Sequence, residues 1–222
     1  MLVDLEADRL EAAKADLRPD RITTFIADVS DQVGVRGLRR GSLRKVGCDR
    51  RSVSIADNHG NIGLLESYDE EAFDRTYRIH VKGAFLACKY CARCMRDGGS
   101  IIVTSRVAGL HGGDGAGLNV AYSTFKQAQT GLVRAAAGAL APRGIRVNSL
   151  IPGPSDNAFQ TEIETRLNEL SGGDLTAALN TAIPLGRHAN VDEVANVALF
   201  LASSMSGFVM GHVHVGDGGL GS

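Results

Sequence analysis

The spacing of apolar residues along the chain switches repeatedly between a helical and a strand period, and each switch marks an element. Leu5 to Leu17 (LEADRLEAAKADL) repeats at helical spacing, and Arg18-Pro19-Asp20 ends it because proline lacks a donor and clashes with the preceding turn. Ile22 to Ala27 (ITTFIA) is short and β-branched, which predicts a buried strand. Asp69 to Met95 holds a continuous helical pattern with Gly83 inside it, and Gly98-Gly99 breaks it. Ser100 to Thr104 (SIIVT) reads as the next strand, followed by a glycine-rich loop from Gly109 to Gly117. Val120 to Ala141 predicts a helix closed by Pro142-Arg143-Gly144. Ile145 to Ile151 (IRVNSLI) predicts a strand stopped by Pro152-Gly153-Pro154. Asp156 to Asn180 is polar and helical in patches, as expected of a substrate lid or insertion. Asp192 to Ser203 predicts a last helix, and Val213 to Val215 a short last strand.

Apolar strands alternating with helices predict an α/β fold, a doubly wound parallel sheet covered on both faces. Neither a repeat nor a long linker divides residues 1–222, so one domain is expected.

Composition narrows the function classes. Apolar residues make up 44% and charged residues 22%, the balance of a folded chain. No run approaches the roughly 18 apolar residues of a membrane helix, so no membrane span is expected. Met1-Leu2-Val3-Asp4 lacks the basic start of a signal peptide, and a cytoplasmic location is expected. A net charge of −1 gives no general attraction to nucleic acid or an anionic membrane. Arg36 to Arg51 is locally very basic, with seven basic residues against one acid, Asp49. Without interleaved aromatics it is expected to be a solvated stretch rather than a nucleic-acid patch. Cys88, Cys91 and Cys94 form C-x-x-C-x-x-C, a candidate metal or iron–sulfur motif, while Cys48 stands apart. Spacings of three inside a helix place the thiols on one core-facing stripe, and no metal is expected.

The candidate chemistry lies in Tyr122-Ser123-Thr124-Phe125-Lys126. Positions four apart share a helix face, so phenol and ammonium point the same way. A nearby cation favours the phenolate, and such a tyrosine can exchange a proton with an alcohol or carbonyl oxygen while a hydride moves.

AYSTFKQAQTGLVRAAAGALAPRGIRVNSLIPGP resembles the short-chain dehydrogenase/reductase family. GGSIIVTSRVAGLHG upstream, with IPLGRHANVDEVANVALFLAS and GFVMGHVHVGDGGL downstream, extends the likeness over most of the chain. The resemblance implies a Rossmann-like fold that passes a hydride between NAD and a secondary alcohol or ketone, in a homodimer or homotetramer. It makes Tyr122 the acid/base and Lys126 the residue that holds the ribose and lowers the tyrosine's pKa. Pro152 and Gly153 would wall the nicotinamide pocket, and Asp28 and Val29 would contact the adenine. Asp4, ending LVDL, would bind the adenosine ribose hydroxyls and favour NAD over NADP, a role compatible with capping the helix that follows.

The sequence also departs from the family pattern. The chain is expected to begin inside the family's second strand, without the first strand, its T-G-x-x-x-G-x-G turn or the first helix. Loss of a central strand would leave a gap of roughly 9.6 Å. N-N-A-G is replaced by Asp57-Asn58-His59-Gly60, where Asn58 and Gly60 are the cofactor-side candidates or simply form a turn. The family serine is replaced by Arg106 in Thr104-Ser105-Arg106-Val107-Ala108-Gly109, leaving Ser105, one residue early, as the catalytic candidate. Arg106 would favour tyrosinate, or else lie on the surface. The family asparagine is replaced by His80, expected to be a packed helix histidine. These departures leave open a catalytically impaired relative acting as a scaffold or binding protein.

Overall fold

The computed structural model describes residues 1–17, 22–31, 34, 50–112 and 117–222. Most of the basic stretch, Cys48, the Arg18-Pro19-Asp20 stop and the centre of the glycine-rich loop lie outside the described residues.

Among the described residues six strands alternate with helices: β1 (Leu2–Asp4), β2 (Thr24–Ile26), β3 (Arg51–Ser54), β4 (Ser100–Thr104), β5 (Arg146–Pro152) and β6 (Val213–Gly216). Every pairing between them is parallel, in two sheets, β1-β2 and β3-β4-β5-β6. Among the described residues no ladder joins β1 to β3.

The four-stranded sheet carries the core. β4 is buried along its whole length and β5 from Val147 to Ile151. Alternation along each strand splits their side chains between two layers. Ile101, Val103 and Val147 pack with Val133 and Ala137 of α5 (Val120–Leu140) and with Ala84 and Cys88 of α3 (Gly83–Cys94). Ile102 and Leu150 pack with Leu201 of α8 (Val191–Ala202) on the other face. Helices on both faces make the fold doubly wound. The small sheet is covered by α1 (Ala7–Asp16), which buries Leu10, while Ile26 of β2 stays exposed. Ile22 to Ala27 is therefore only half-covered, not the fully buried strand its β-branched residues suggest.

The long helix expected from Asp69 to Met95 is split into three. Asp69 caps α2 (Glu70–Tyr77) by accepting from the amides of Glu71 (3.2 Å) and Ala72 (3.3 Å). A π-turn follows at Arg78–Lys82, and α3 continues from Gly83. In this turn the His80 carbonyl accepts from the Gly83 amide and from Gln129 Nε2 of α5, the latter at 3.0 Å.

On α3, Cys88 lies in the core, the Cys91 thiol donates to Ser52 Oγ at 3.3 Å, and Cys94 donates to the Tyr90 carbonyl. Burial pushes the Cys88 thiol up to about 12, so it packs as a small apolar group. Among the described residues no group of three His, Cys, Asp or Glu side chains is arranged to hold a metal ion.

Gly109, in the four-residue helix α4 (Ala108–His111), seats the loop after β4 against α5. A Cβ there would come within 2.8 Å of the Lys126 carbonyl carbon and the Gln127 amide nitrogen, both rigid helix backbone. Gly109→Ala is expected to destabilise the protein by about 1–3 kcal/mol in urea unfolding, because the two backbones must part. An unchanged midpoint would contradict this close seating.

Candidate active site

Helix α5 buries the face that carries Tyr122, Phe125, Lys126, Gln129 and Val133, spaced three and four apart. Phe125 fixes its roll, meeting Phe73 edge-on at 4.7 Å and Tyr77 at 5.7 Å between ring centroids. Tyr122 and Lys126 then point together beneath the carboxyl ends of the strands, both only 1% exposed.

There they meet Asp57, three residues past β3. Lys126 Nζ donates to Asp57 Oδ2 at 2.8 Å, and the Tyr122 hydroxyl donates to the same oxygen at 3.3 Å. His80 Nε2 lies 3.2 Å from Asp57 Oδ1 and 2.8 Å from Asn58 Oδ1. The Asn58 carbonyl lies 3.0 Å from the same nitrogen, and the Asn58 backbone amide donates to it at 3.4 Å. His80 Nδ1 is buried without a hydrogen-bond partner. The ring is thus a packed helix histidine, but one that also closes the Asp57 cluster.

Burial sets the protonation states and charge modifies them. Tyr122 is pushed well above its usual 10, first by desolvation and then by the Asp57 charge, with Arg106 pulling the other way. Desolvation lowers Lys126, and Asp57 offsets part of the effect. The sequence led to the opposite expectation, a phenol drawn down by Lys126 and Arg106. The difference arises because both groups are covered and a carboxylate stands between them.

A second polar cluster lies under α6 (Ala158–Ser171) and α7 (Leu175–Ala182), which together form most of the 156–180 segment. Glu164 Oε1 accepts from Gln160 Nε2 at 2.5 Å and lies 2.7 Å from His188 Nε2, while Thr176 donates to its other oxygen. These hydrogen bonds hold the Glu164 carboxyl below its usual value against the opposing effect of desolvation. Arg106 reaches this cluster by donating to Gln160 Oε1, so it is neither a surface residue nor a partner of the phenol. His59 packs on Phe159 of α6 at 3.8 Å between ring centroids and lies 3.3 Å from Glu162. The loops after β3 and β4 are thus both clamped to α6.

Some of the residues singled out from sequence come together and others do not. Asn58 joins Tyr122 and Lys126 through His80 and Asp57. Gly60 adopts φ +66° and forms the turn beside Thr76 and Tyr68. Ser105 points its hydroxyl at the Lys126 carbonyl (2.6 Å), so it is committed to the α5 backbone instead of the phenol. Pro152 and Gly153 end β5, and the Pro152 carbonyl accepts from Val107. A cavity of about 490 Å³ opens beside Pro152, lined by Leu150, Leu185, Val194 and Val197 but not by Tyr122 or Lys126. Asp4 and Asp28 lie at the carboxyl ends of the small sheet, where each carboxylate accepts from an amide two residues on, Glu6 at 3.0 Å and Ser30 at 2.7 Å. Val29 packs against Gly83. Sequence reasoning missed Asp57, Gln129 and Glu164. Asp57 stood in the quoted Asp57-Asn58-His59-Gly60 motif, whereas nothing in the sequence marks the other two.

Burial lowers His80 from its usual 6.5 to about 4. Above pH 6.5 the ring is neutral in the folded and unfolded chain, and it adds no pH dependence. Between 6.5 and 4 the unfolded chain takes up a proton that the fold refuses, so stability falls as pH falls. At ~1.4 kcal/mol per unit the loss approaches about 3 kcal/mol. Urea unfolding between pH 7.5 and 4.5 is expected to show this decline, and His80→Asn to flatten it. An equal slope in both proteins would contradict it.

A family model described as enoyl-(acyl carrier protein) reductase matches residues 2–221. The uncharacterized oxidoreductase YxbG of Bacillus subtilis is 32% identical over 225 residues, spanning 98% of this chain and 80% of that protein. The 3-oxoacyl-(acyl-carrier-protein) reductase FabG of Thermotoga maritima is 30% identical over 224 residues, spanning 98% and 85%. The crystal structure of levodione reductase superposes with a TM-score of 0.91 at 28% identity, over 98% of this chain and 86% of that one. A short-chain dehydrogenase/reductase from Brucella melitensis gives 0.87 at 27% identity, over 100% and 85%. With this sheet order and a buried Tyr122–Lys126 pair on α5, the chain belongs to the short-chain dehydrogenase/reductase family, oxidoreductases that use a nicotinamide cofactor on small molecules.

Proposed function

We propose that this chain moves a hydride between NAD(H) and a secondary alcohol or ketone, with Tyr122 exchanging the proton. The observation that carries the reading is the convergence of the Tyr122 hydroxyl and the Lys126 ammonium on one Asp57 oxygen.

The chemistry of the donor set suits a nicotinamide riboside. Lys126 offers a donor and Asp57 an acceptor, the pair a ribose diol needs, and the Asp57 side chain is 23% exposed where those of Lys126 and His80 are 1% and 0%. Pro152 and Gly153 would wall the ring, with Asn58 and Gly60 alongside. Asp4, Asp28 and Val29 would face the adenosine, and a carboxylate at Asp4 repels a 2′-phosphate, which favours NAD over NADP. When bound, the nicotinamide supplies the hydride in reduction and takes it up in oxidation.

The protein's own residues handle the proton. The Tyr122 hydroxyl gives it to the carbonyl oxygen in reduction and recovers it from the alcohol in oxidation. Lys126 holds the ribose, and Ser105 keeps α5 in place through the Lys126 carbonyl. Residues 156–180 act as a lid. The phenol is covered, so substrate entry requires α6 to release the Phe159–His59 and Gln160–Arg106 contacts.

We place the protein in the cytoplasm as a homodimer or homotetramer. Among the described residues no helix is long and apolar enough to cross a membrane. Leu199, Met205 and Phe208, the last fully exposed, leave apolar surface on and just beyond α8 that a second copy would cover.

Fluorescence titration with NADH and NADPH tests the cofactor, and turnover of a ketone panel tests the chemistry. Saturable NADH binding, tighter than NADPH, is expected. Tyr122→Phe is expected to keep that affinity while kcat falls about 10²–10⁴-fold. Absence of NADH binding at millimolar cofactor, or unchanged turnover in the variant, would overturn the proposal.

A further inference from the structure

Four residues apart on one helix, the Tyr122 phenol and the Lys126 ammonium would ordinarily face each other with the cation favouring phenolate. Asp57 changes that. Its Oδ2 takes the ammonium at 2.8 Å and the phenol hydroxyl at 3.3 Å, so an ionised phenol would set two negative oxygens side by side. Its Oδ1 lies 3.2 Å from His80 Nε2 on the other side.

We propose that Asp57 is a positioning residue that keeps the Tyr122 phenol protonated by gathering the Lys126 ammonium and the phenol hydroxyl onto one carboxylate oxygen, and so sets the pH range in which each direction of the reaction runs. The inference rests on the redox role proposed above for Tyr122.

The charged and titratable groups around the phenol come from four elements. Lys126 lies on its own helix, with its ammonium 5.2 Å from the phenol ring centroid. Asp57 comes from the loop after β3, Arg106 from the loop after β4, and His80 from the π-turn, edge-on to Tyr122 at 5.4 Å between ring centroids. His80 is neutral near pH 7 because burial lowers it to about 4. His59 feels the charge of Asp57 but is tied to Glu162 on α6. The charge of Arg106 also acts to ionise the phenol, but its guanidinium is turned to Gln160. Burial and Asp57 prevail, and the phenol keeps its proton.

In reduction the carbonyl carbon takes the hydride from the reduced nicotinamide as the carbonyl oxygen takes the phenol proton. The O–H bond of Tyr122 breaks, an alcohol O–H forms, and the phenolate recovers a proton from water reaching the exposed edge of Asp57. The carbonyl is reduced by two electrons and the nicotinamide is oxidised by two. Oxidation needs the reverse, a phenolate ready to accept the alcohol proton, which is the form that Asp57 opposes. A purely structural carboxylate would hold the loop without moving either pH profile.

The test pairs an activity-independent readout with pH profiles in both directions. Tyrosine labelled with ¹³C at Cζ gives one resonance for each of the four tyrosines, and Tyr122→Phe identifies the relevant one. In the wild-type protein that resonance is expected to keep its phenol position past the ordinary tyrosine midpoint of about 10, whereas Asp57→Asn moves its midpoint down by at least about one unit. The acid limb of oxidation and the alkaline limb of reduction both move down with the phenol in the variant. Asp57→Ser, smaller and equally neutral, gives the same displacement if asparagine crowds Lys126. A Tyr122 resonance that titrates no lower in either variant overturns the proposal. A shifted resonance without turnover in any protein removes the redox reading and leaves the hold of Asp57 on the phenol standing. Turnover with an unshifted resonance does the reverse.

Discussion

An ammonium buried to 1% exposure needs a partner inside the protein, and Lys126 finds it in Asp57. Desolvation alone would push Lys126 toward the neutral amine, and the carboxylate at 2.8 Å offsets part of that cost. The pair requires three chain segments to arrive together. The parallel pairing of β3 with β4 delivers Asp57 to the carboxyl edge of the sheet. The packing of Val133 and Ala137 on Val147 fixes the height of α5, and the π-turn brings His80 to the other carboxylate oxygen. A shift in any of these would leave a charge buried without its counterion, which typically costs several kcal/mol.

Near that pair, Gln129 of α5 donates to the His80 carbonyl in the π-turn. Glu164, buried beneath α6, is satisfied by Gln160, Thr176 and His188, and His188 by Asn180 on α7. Arg106 and His59 connect the strand loops to α6.

Much of this was legible in the sequence. The periods of SIIVT and IRVNSLI identified the two core strands, and the fourfold spacing of Tyr122 and Lys126 placed both on one face of α5, which is buried. β3 was not, because Arg51-Ser52-Val53-Ser54 is a half-exposed edge strand and its polar residues mimic a loop. The split of the long helix at Arg78–Lys82 leaves no composition signal, since a π-turn keeps helical periodicity on either side. The sequence showed an acid at position 57 without showing that the chain returns it to Lys126, 69 residues later. Burial first, and then that acid, turn the electrostatics of the phenol opposite to the helix-local expectation.

A double-mutant cycle between Asp57→Asn and Lys126→Met, read by urea unfolding at pH 7.5, measures the pair directly. The account predicts a coupling of about 1–3 kcal/mol, with the double variant less destabilised than the sum of the two single ones. Additive losses, with coupling near zero, would mean that the carboxylate and the ammonium do not hold each other in the folded protein, and the site built on them would fall.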